Sequence, residues 1–174
     1  VQAIQQKKKI EFHYQKFGEE KETIRKVSPI AIREHDNRWY LIADDKGIVK
    51  NFGLERMNKV AILKEKIDDN IDFNYDDKYK YSYGIIVPIS EEPEKIILSV
   101  TKKQAAYLES LPLHESQHVL EIKQDEVLIG LELFLTEDFI SEILSMSRSV
   151  TIIEPKKLKE KAKTILRETL EKYS

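Results

Sequence analysis

The stretch Arg38-Trp39-Tyr40-Leu41-Ile42-Ala43-Asp44-Asp45-Lys46-Gly47-Ile48-Val49-Lys50-Asn51-Phe52-Gly53-Leu54 holds two apolar runs on either side of a short polar break. Runs this short, rich in aromatic and β-branched residues, are strand-like. Gly47 accepts the positive φ that a tight hairpin turn demands. The spacing therefore predicts strands over 38–43 and 48–54, joined by a hairpin at Asp44-Asp45-Lys46-Gly47. In the first strand Trp39 and Leu41 share a face opposite Tyr40 and Ile42, which places Trp39 in the core and leaves Tyr40 as a packed tyrosine. In the second, a regular alternation puts Lys50, Phe52, Leu54 and Arg56 on one face. Phe52 and Leu54 then lie inside, and Lys50 and Arg56 bracket that apolar centre.

Toward the N-terminus the same alternation continues. Ile10, Phe12 and Tyr14 interleave with Glu11 and His13, and Phe17-Gly18-Glu19 supplies a turn. A strand follows over 24–32, with Pro29 marking an edge or a bend, and Asp36-Asn37 turns the chain into Arg38. Lys59 to Lys64 completes five short strands, a pattern that predicts a small β-barrel because closure removes vulnerable edges. Tyr14 follows the inward set Ile10 and Phe12, so its ring packs while its hydroxyl reaches a polar partner. Arg25 shares a face with Val27. A charge aligned with core residues must be paired or must serve a ligand. Spacing leaves both open for Arg25, Lys50 and Arg56: a salt bridge to one of the many acids, or a ligand contact.

Residues 67–83 change character, being rich in acid and tyrosine without a sustained period, and read as a linker between a domain over 1–66 and another over 84–174. Tyr79, Tyr81 and Tyr83 alternate there; a segment docking on its own protein accounts for them more simply than base stacking. Beyond Gly84, strands are expected at 95–100, 118–123, 127–135 and 149–153. Thr101 with Gln104 forms a capping box opening a helix that Pro112 ends, and Thr136 caps a helix bearing Phe139, Ile140, Ile143 and Leu144 on one face. Pro155 opens a closing helix with an apolar stripe from Leu158 through Ala162, Ile165, Leu166, Thr169 and Leu170 to Tyr173. The order βαββαβ plus a helix matches a ferredoxin-like arrangement, so the fold class expected for the chain is α+β.

Composition narrows the function. Among 174 residues, 29 basic against 31 acidic side chains give a net charge of −2, which argues against general coating of nucleic acid and confines any anion site to a few convergent cations. Cysteine is absent, which fits a reducing cytoplasm and removes disulfides, thiolate metal sites and cysteine nucleophiles. No apolar run approaches a membrane span and no secretory leader is legible, so neither a membrane nor an export route is expected. The chain opens at Val1 in place of methionine, which points to a fragment of a longer protein. There is no Gly-rich phosphate loop and no HExxH. His13, His35, His114 and His118 lack a helix-spaced ligand pattern, so no metal, cofactor or catalytic residue is expected. Lys7-Lys8-Lys9 and the acidic pairs Asp68-Asp69 and Asp76-Asp77 read as solvated charge.

Four blocks then stand together in order: Ile10-Glu11-Phe12-His13-Tyr14, Arg25-Lys26-Val27-Ser28-Pro29, Trp39-Tyr40-Leu41 and Phe52-Gly53-Leu54-Glu55-Arg56. Together they resemble the WYL domain of bacterial transcriptional regulators, named for the tripeptide that stands here at Trp39 to Leu41. Tyr83-Gly84-Ile85 and the stretch from Ser145 to Pro155 look like the C-terminal extension that usually follows such a domain. The resemblance implies an Sm-like, SH3-type barrel, and a regulatory region that senses a nucleic-acid or nucleotide-like effector. It also implies promoter DNA bound through an N-terminal helix-turn-helix domain, and a homodimer. The family's proposed ligand site falls on Arg25 and Arg56, with Tyr14 nearby. Lys50 stands where the family often has arginine, a change that keeps the charge but loses the planar fork for phosphate. Ser145-Met146-Ser147-Arg148 is less glycine-rich than the family pattern. The competing reading is a structural or oligomerisation module whose arginines form salt bridges only.

Overall fold

The structure, a computed structural model, describes residues 1–68, 73–88 and 91–174. It is mixed α+β and divides into two compact units, Val1–Lys78 and Tyr79–Ser174. Of the segment expected as a linker, residues 69–72 lie outside the described residues, as does Asp69 of the acidic pair.

The first unit opens with a short helix α1 (Gln2–Gln5) and continues through β1 (Lys8–Tyr14), β2 (Thr23–His35), β3 (Arg38–Asp45) and β4 (Ile48–Gly53). A 3-10 turn (Leu54–Arg56), β5 (Met57–Lys66) and the helix α2 (Tyr75–Tyr79) follow. The strands form one antiparallel sheet in the order β4-β3-β2-β1-β5. Among the described residues no strand pairing joins β4 to β5, so the hydrogen-bonded ladder stays open where a closed barrel was expected. Two hairpin turns fix its register. Asp36 and Asn37 have φ of 51° and 59°, and Lys46 and Gly47 have φ of 60° and 83°. Positive φ at both central residues is the type I′ condition, whose twist matches that of the flanking strands. The second turn sets Asp45 opposite Ile48 and Ala43 opposite Lys50. Pro29 lies just beyond Val27, the last residue of β2 paired to β1, and a register shift follows between Pro29 and Ala31, so the expected bend is a bulge.

The core of this unit is Ala3, Ile10, Phe12, Tyr14, Val27, Leu41, Ala43 and Phe52. Phe12, Tyr14 and Phe52 meet edge-on, with ring centroids 5.1 to 6.0 Å apart. Two expectations fail here. Trp39 is 55% exposed, because the β2–β3 hairpin runs past the core toward its turn and Trp39 stands opposite Glu34. Burial begins only at Leu41. Leu54 is 36% exposed, because β4 ends at Gly53 and the 3-10 turn breaks the alternation that would have carried Leu54 inward.

The second unit runs β6 (Glu94–Thr101), α3 (Lys102–Ser110), β7 (His118–Ile122), β8 (Glu126–Leu133), α4 (Glu137–Ser145), β9 (Val150–Glu154) and α5 (Lys156–Glu171). Its antiparallel sheet has the order β7-β8-β6-β9. Leu98, Leu133, Phe139, Ile140 and Leu158 sit at the centre of its core. Both predicted caps form: Thr101 Oγ1 accepts from Gln104 N at 3.2 Å, and Thr136 Oγ1 from Phe139 N at 3.5 Å. Only half of the expected capping box is built, since Gln104 turns its amide to Met146 Sδ and Thr101 N donates to Ser149 O. The stripe on α5 is also half used. Leu158 and Ala162 are buried, whereas Leu170 and Tyr173 are exposed.

Residues 79–86 belong to this second unit. Tyr81 and Tyr83 place their rings on Phe134 and Phe139, and Phe134 N donates to Tyr81 O at 2.9 Å. Asp138 Oδ2 accepts from Ile85 N at 3.0 Å and from Ile86 N at 3.2 Å, with Gly84 lying against the same carboxylate. Among the described residues no helix is long and apolar enough to cross a membrane.

Candidate functional site

The two-residue turn at Lys46-Gly47 leaves Asp45 as the last residue of β3, five positions before Lys50. Asp45 is 5% exposed, and its Oδ2 accepts from Lys50 Nζ at 2.8 Å and from Arg25 Nη1 at 3.3 Å. Neighbouring Asp44 serves the turn instead, where its Oδ2 accepts from Gly47 N at 2.9 Å. Arg25 also donates from Nε to Thr23 Oγ1, which in turn donates to Tyr14 O. One carboxylate thus faces two cations, each of which keeps part of its side chain in solvent. Strength here is limited by water: both cations retain solvent access, which screens the pairs well below the value of fully buried ones.

Arg56 belongs to a second cluster. Its guanidinium carbon lies 5.2 Å from the Tyr14 ring centroid and 4.8 Å from that of Phe17. A Cβ on Gly53 would fall 2.7 Å from Arg56 Nη2 and 2.8 Å from Nε, so the absence of a side chain there lets the guanidinium settle onto the backbone. Arg56 Nε stands 3.5 Å from Glu55 Oε1, close enough for charge attraction but without hydrogen-bond geometry. Among the described residues it is the one buried side-chain polar atom without a hydrogen-bond partner. A buried donor left unmet costs free energy, which makes it a marked position in the fold.

Tyr14 closes the floor of this cluster. Its hydroxyl accepts from Gly53 N at 3.3 Å. Burial pushes its pKa above the ordinary tyrosine value, opposed by the Gly53 N–H and by the Arg56 charge, so Tyr14 is neutral at physiological pH.

Around Arg56 stand residues that periodicity did not single out. Arg38 Nη1 lies 3.6 Å from Glu55 Oε1, and its guanidinium is 5.7 Å from the Phe17 centroid. Phe17 therefore has a guanidinium at each of two contacts while remaining 68% exposed. A β-turn holds it there: Glu19 N donates to Lys16 O at 3.2 Å, and Gly18 takes φ 80° at the third position, as a type II turn requires. Gln15 N donates to Arg56 O at 3.4 Å, tying the base of this turn to the Arg56 segment.

The four residues singled out in the sequence therefore form two pairs: Arg25 with Lys50 on Asp45, and Tyr14 with Arg56. Thr23, opposite Tyr14 in the β1–β2 register, links them. Lys50 and Arg56 do not share a regular strand, since the 3-10 turn intervenes. Sequence reasoning took Asp45 for a turn residue and Phe17 for turn filler, and passed over Arg38 and Glu55. A two-residue hairpin would have revealed the Asp45–Lys50 pair, because it brings those positions near one another across the strands. In the other unit, His114 and His118 both turn Nδ1 toward Ser116, to its hydroxyl and its carbonyl respectively.

The WYL domain family model matches residues 1–62, and the WCX domain family model matches residues 92–170. Among solved structures the chain is similar to one described as a CRISPR Cas-related protein, at 13% identity and a TM-score of 0.54, covering 99% of this chain and 50% of that one. It is also similar to proteasome accessory factor B/C (PafBC) of Arthrobacter aurescens, at 18% identity and a TM-score of 0.41, covering 99% of this chain and 26% of that one. The chain spans about half and about a quarter of those two proteins, and the likeness to the first, at 13% identity, concerns the fold alone. No curated protein matches it.

Proposed function

We propose, of a chain that belongs to the WYL-domain family and carries a WCX domain behind its WYL domain, that it is the ligand-sensing region of a bacterial transcriptional regulator. The effector is an anionic, nucleotide-like molecule or a short single strand of nucleic acid. Arg25, Lys50 and Arg56 meet its phosphates, with Tyr14 as the aromatic support. Binding shifts the arrangement of the protein, as a homodimer, and so controls promoter DNA through an N-terminal helix-turn-helix domain in the cytoplasm. Such a shift requires the effector to bind the two states with different affinity. We assign the chain no catalytic step. We also read the first sheet as an Sm-like, SH3-type arrangement and the second unit as ferredoxin-like. The order βαββαβ with sheet order β7-β8-β6-β9 supports the latter.

The observation that carries the effector reading is Arg56, whose guanidinium is braced by two aromatic rings while its buried Nε has no hydrogen-bond partner among the described residues. Cations preorganised on aromatic surface are what phosphate and base together select. A specific observation favours the competing reading for the other pair: Asp45 already engages both Arg25 and Lys50, as a module held by salt bridges would.

Fluorescence anisotropy of labelled single-stranded DNA and RNA decides between them. With three cations on phosphate, the log–log salt slope is about −2, at roughly 0.7 per contact for single strands. Arg56→Glu abolishes binding while circular dichroism shows the fold retained. Undiminished affinity in that variant removes the proposed site.

A further inference from the structure

An anionic effector accounts for the cations of this surface. Phe17 adds something an anion alone does not explain. We propose that Phe17 is a stacking platform for an unpaired nucleobase, with Arg38 and Arg56, which both contact its ring, as the cations that face the attached phosphate. The effector class is then a phosphorylated nucleoside whose base is free to stack, either as a mononucleotide or as a unit of a single strand. This rests on the effector reading and names its chemistry.

Three observations carry it. First, the ring is placed rather than adrift. The Lys16–Glu19 turn puts Phe17 at its corner, Lys16 Nζ meets Glu19 Oε1 at 3.1 Å, and Gln15 Nε2 donates to Glu19 O at 3.0 Å. The Gln15 N–H to Arg56 O bond fastens this turn to the very segment that bears Arg56.

Second, Phe17 remains 68% exposed as a residue although Arg38 and Arg56 both contact its ring. A large apolar residue this exposed, in contact with two cations, offers aromatic surface beside positive charge. A base fits that combination: it has a π-face for the ring, and its phosphate carries the charge for the guanidiniums. A bare phosphate or sulfate would make no use of the ring.

Third, the charge is poised. Glu55 Oε1 lies 3.6 Å from Arg38 Nη1 and 3.5 Å from Arg56 Nε, one carboxylate against two guanidiniums. An arriving phosphate therefore meets a net positive pair. Bases already paired in a duplex are stacked on their neighbours and offer no face to Phe17, so the geometry selects single strands over duplexes.

The test uses the whole chain and two labelled 12-mers of equal charge, oligo-dA and an oligomer of abasic tetrahydrofuran residues, with Phe17→Ala and Phe17→Trp as variants. The wild type should prefer oligo-dA over the abasic oligomer by about tenfold, the order of one lost base stack. Phe17→Ala should erase that preference, weakening oligo-dA by about tenfold more than it weakens the abasic oligomer. Phe17→Trp should restore the preference. ATP that competes with oligo-dA identifies a mononucleotide as sufficient; ATP that fails to compete identifies the strand. Competition by ATP at concentrations where inorganic triphosphate has no effect supports a base-stacking site.

A wild type that binds both oligomers equally overturns the stacking proposal and leaves the anion reading standing. So does a Phe17→Ala variant that weakens both equally while melting at the wild-type temperature. A wild type that binds neither oligomer, nor a fluorescently labelled ATP, overturns both.

Discussion

Asp45 holds the ammonium of Lys50 at 2.8 Å across a two-residue turn, and the same oxygen holds Arg25 on the adjoining strand. The carboxylate is buried and the two cations are not, so the pair is anchored from inside and open to solvent outside. Such an arrangement restrains cations without neutralising them. It also separates the two readings of this surface.

Asp45→Asn keeps the shape of the side chain and removes its charge. Loss of the charge-assisted bonds costs about 1–3 kcal/mol, measured by urea unfolding. If Arg25 and Lys50 serve an anionic ligand, affinity for single-stranded oligonucleotides rises at low salt, and the salt slope steepens by up to roughly 0.7. If they are structural only, stability falls and oligonucleotide affinity stays where it was.

Tyr14→Phe deprives the Gly53 N–H of its acceptor in a buried setting and costs about 1–3 kcal/mol. The pH dependence has a definite sign. Burial raises the folded-state pKa of Tyr14 above its unfolded value of 10.0. The folded chain therefore holds this proton more tightly, and the associated stability is complete below the unfolded pKa and lost as pH rises through the folded one. Melting temperatures taken between about pH 8 and pH 11 fall more steeply for wild type than for Tyr14→Phe.

Gly84→Ala drives a methyl group into Asp138, whose Cβ and Cγ would each lie 2.7 Å away. The carboxylate must move, and the Ile85 and Ile86 N–H groups lose their shared acceptor. A cost of about 1–3 kcal/mol is expected, together with faster hydrogen exchange at those two amides.

The stripe on α5 divides by function. Leu158→Ala, at a fully buried position, costs about 2–5 kcal/mol. Leu170→Ala, 67% exposed, stays within about 0.5 kcal/mol in a monomer. If the exposed end of this helix is where two copies of the chain meet, Leu170→Ala shifts the dimer toward monomer by light scattering while leaving the dilute melting temperature unchanged.

Much of the architecture was legible because it is written in short-range chemistry. Asp36-Asn37 and Lys46-Gly47 both adopt the backbone their residue types allow, and from them the register of three strands follows. Thr101 and Thr136 cap as their side chains dictate. Trp39 was misplaced because alternation tells which residues share a face, not how far the core extends along it, and Leu54 because the 3-10 turn ends the alternation at Gly53. Phe17 and Arg38 were invisible for a related reason. Their partnership with Arg56 joins a turn, a strand and a 3-10 turn, and no period in the sequence records such a meeting. The helix α2 was missed because five residues are too few to show a stripe.

The Lys46-Gly47 turn has a consequence for how this surface can change over evolutionary time. Substitutions along β3 and β4 alter one contact each. A single inserted residue in the turn is different in kind: it slides one strand against the other by a step, and every side chain beyond it exchanges faces. Lys50 would leave Asp45 and Phe52 would leave the core in the same event. Descendants of this chain are therefore free to vary the letters of that hairpin far more readily than its length.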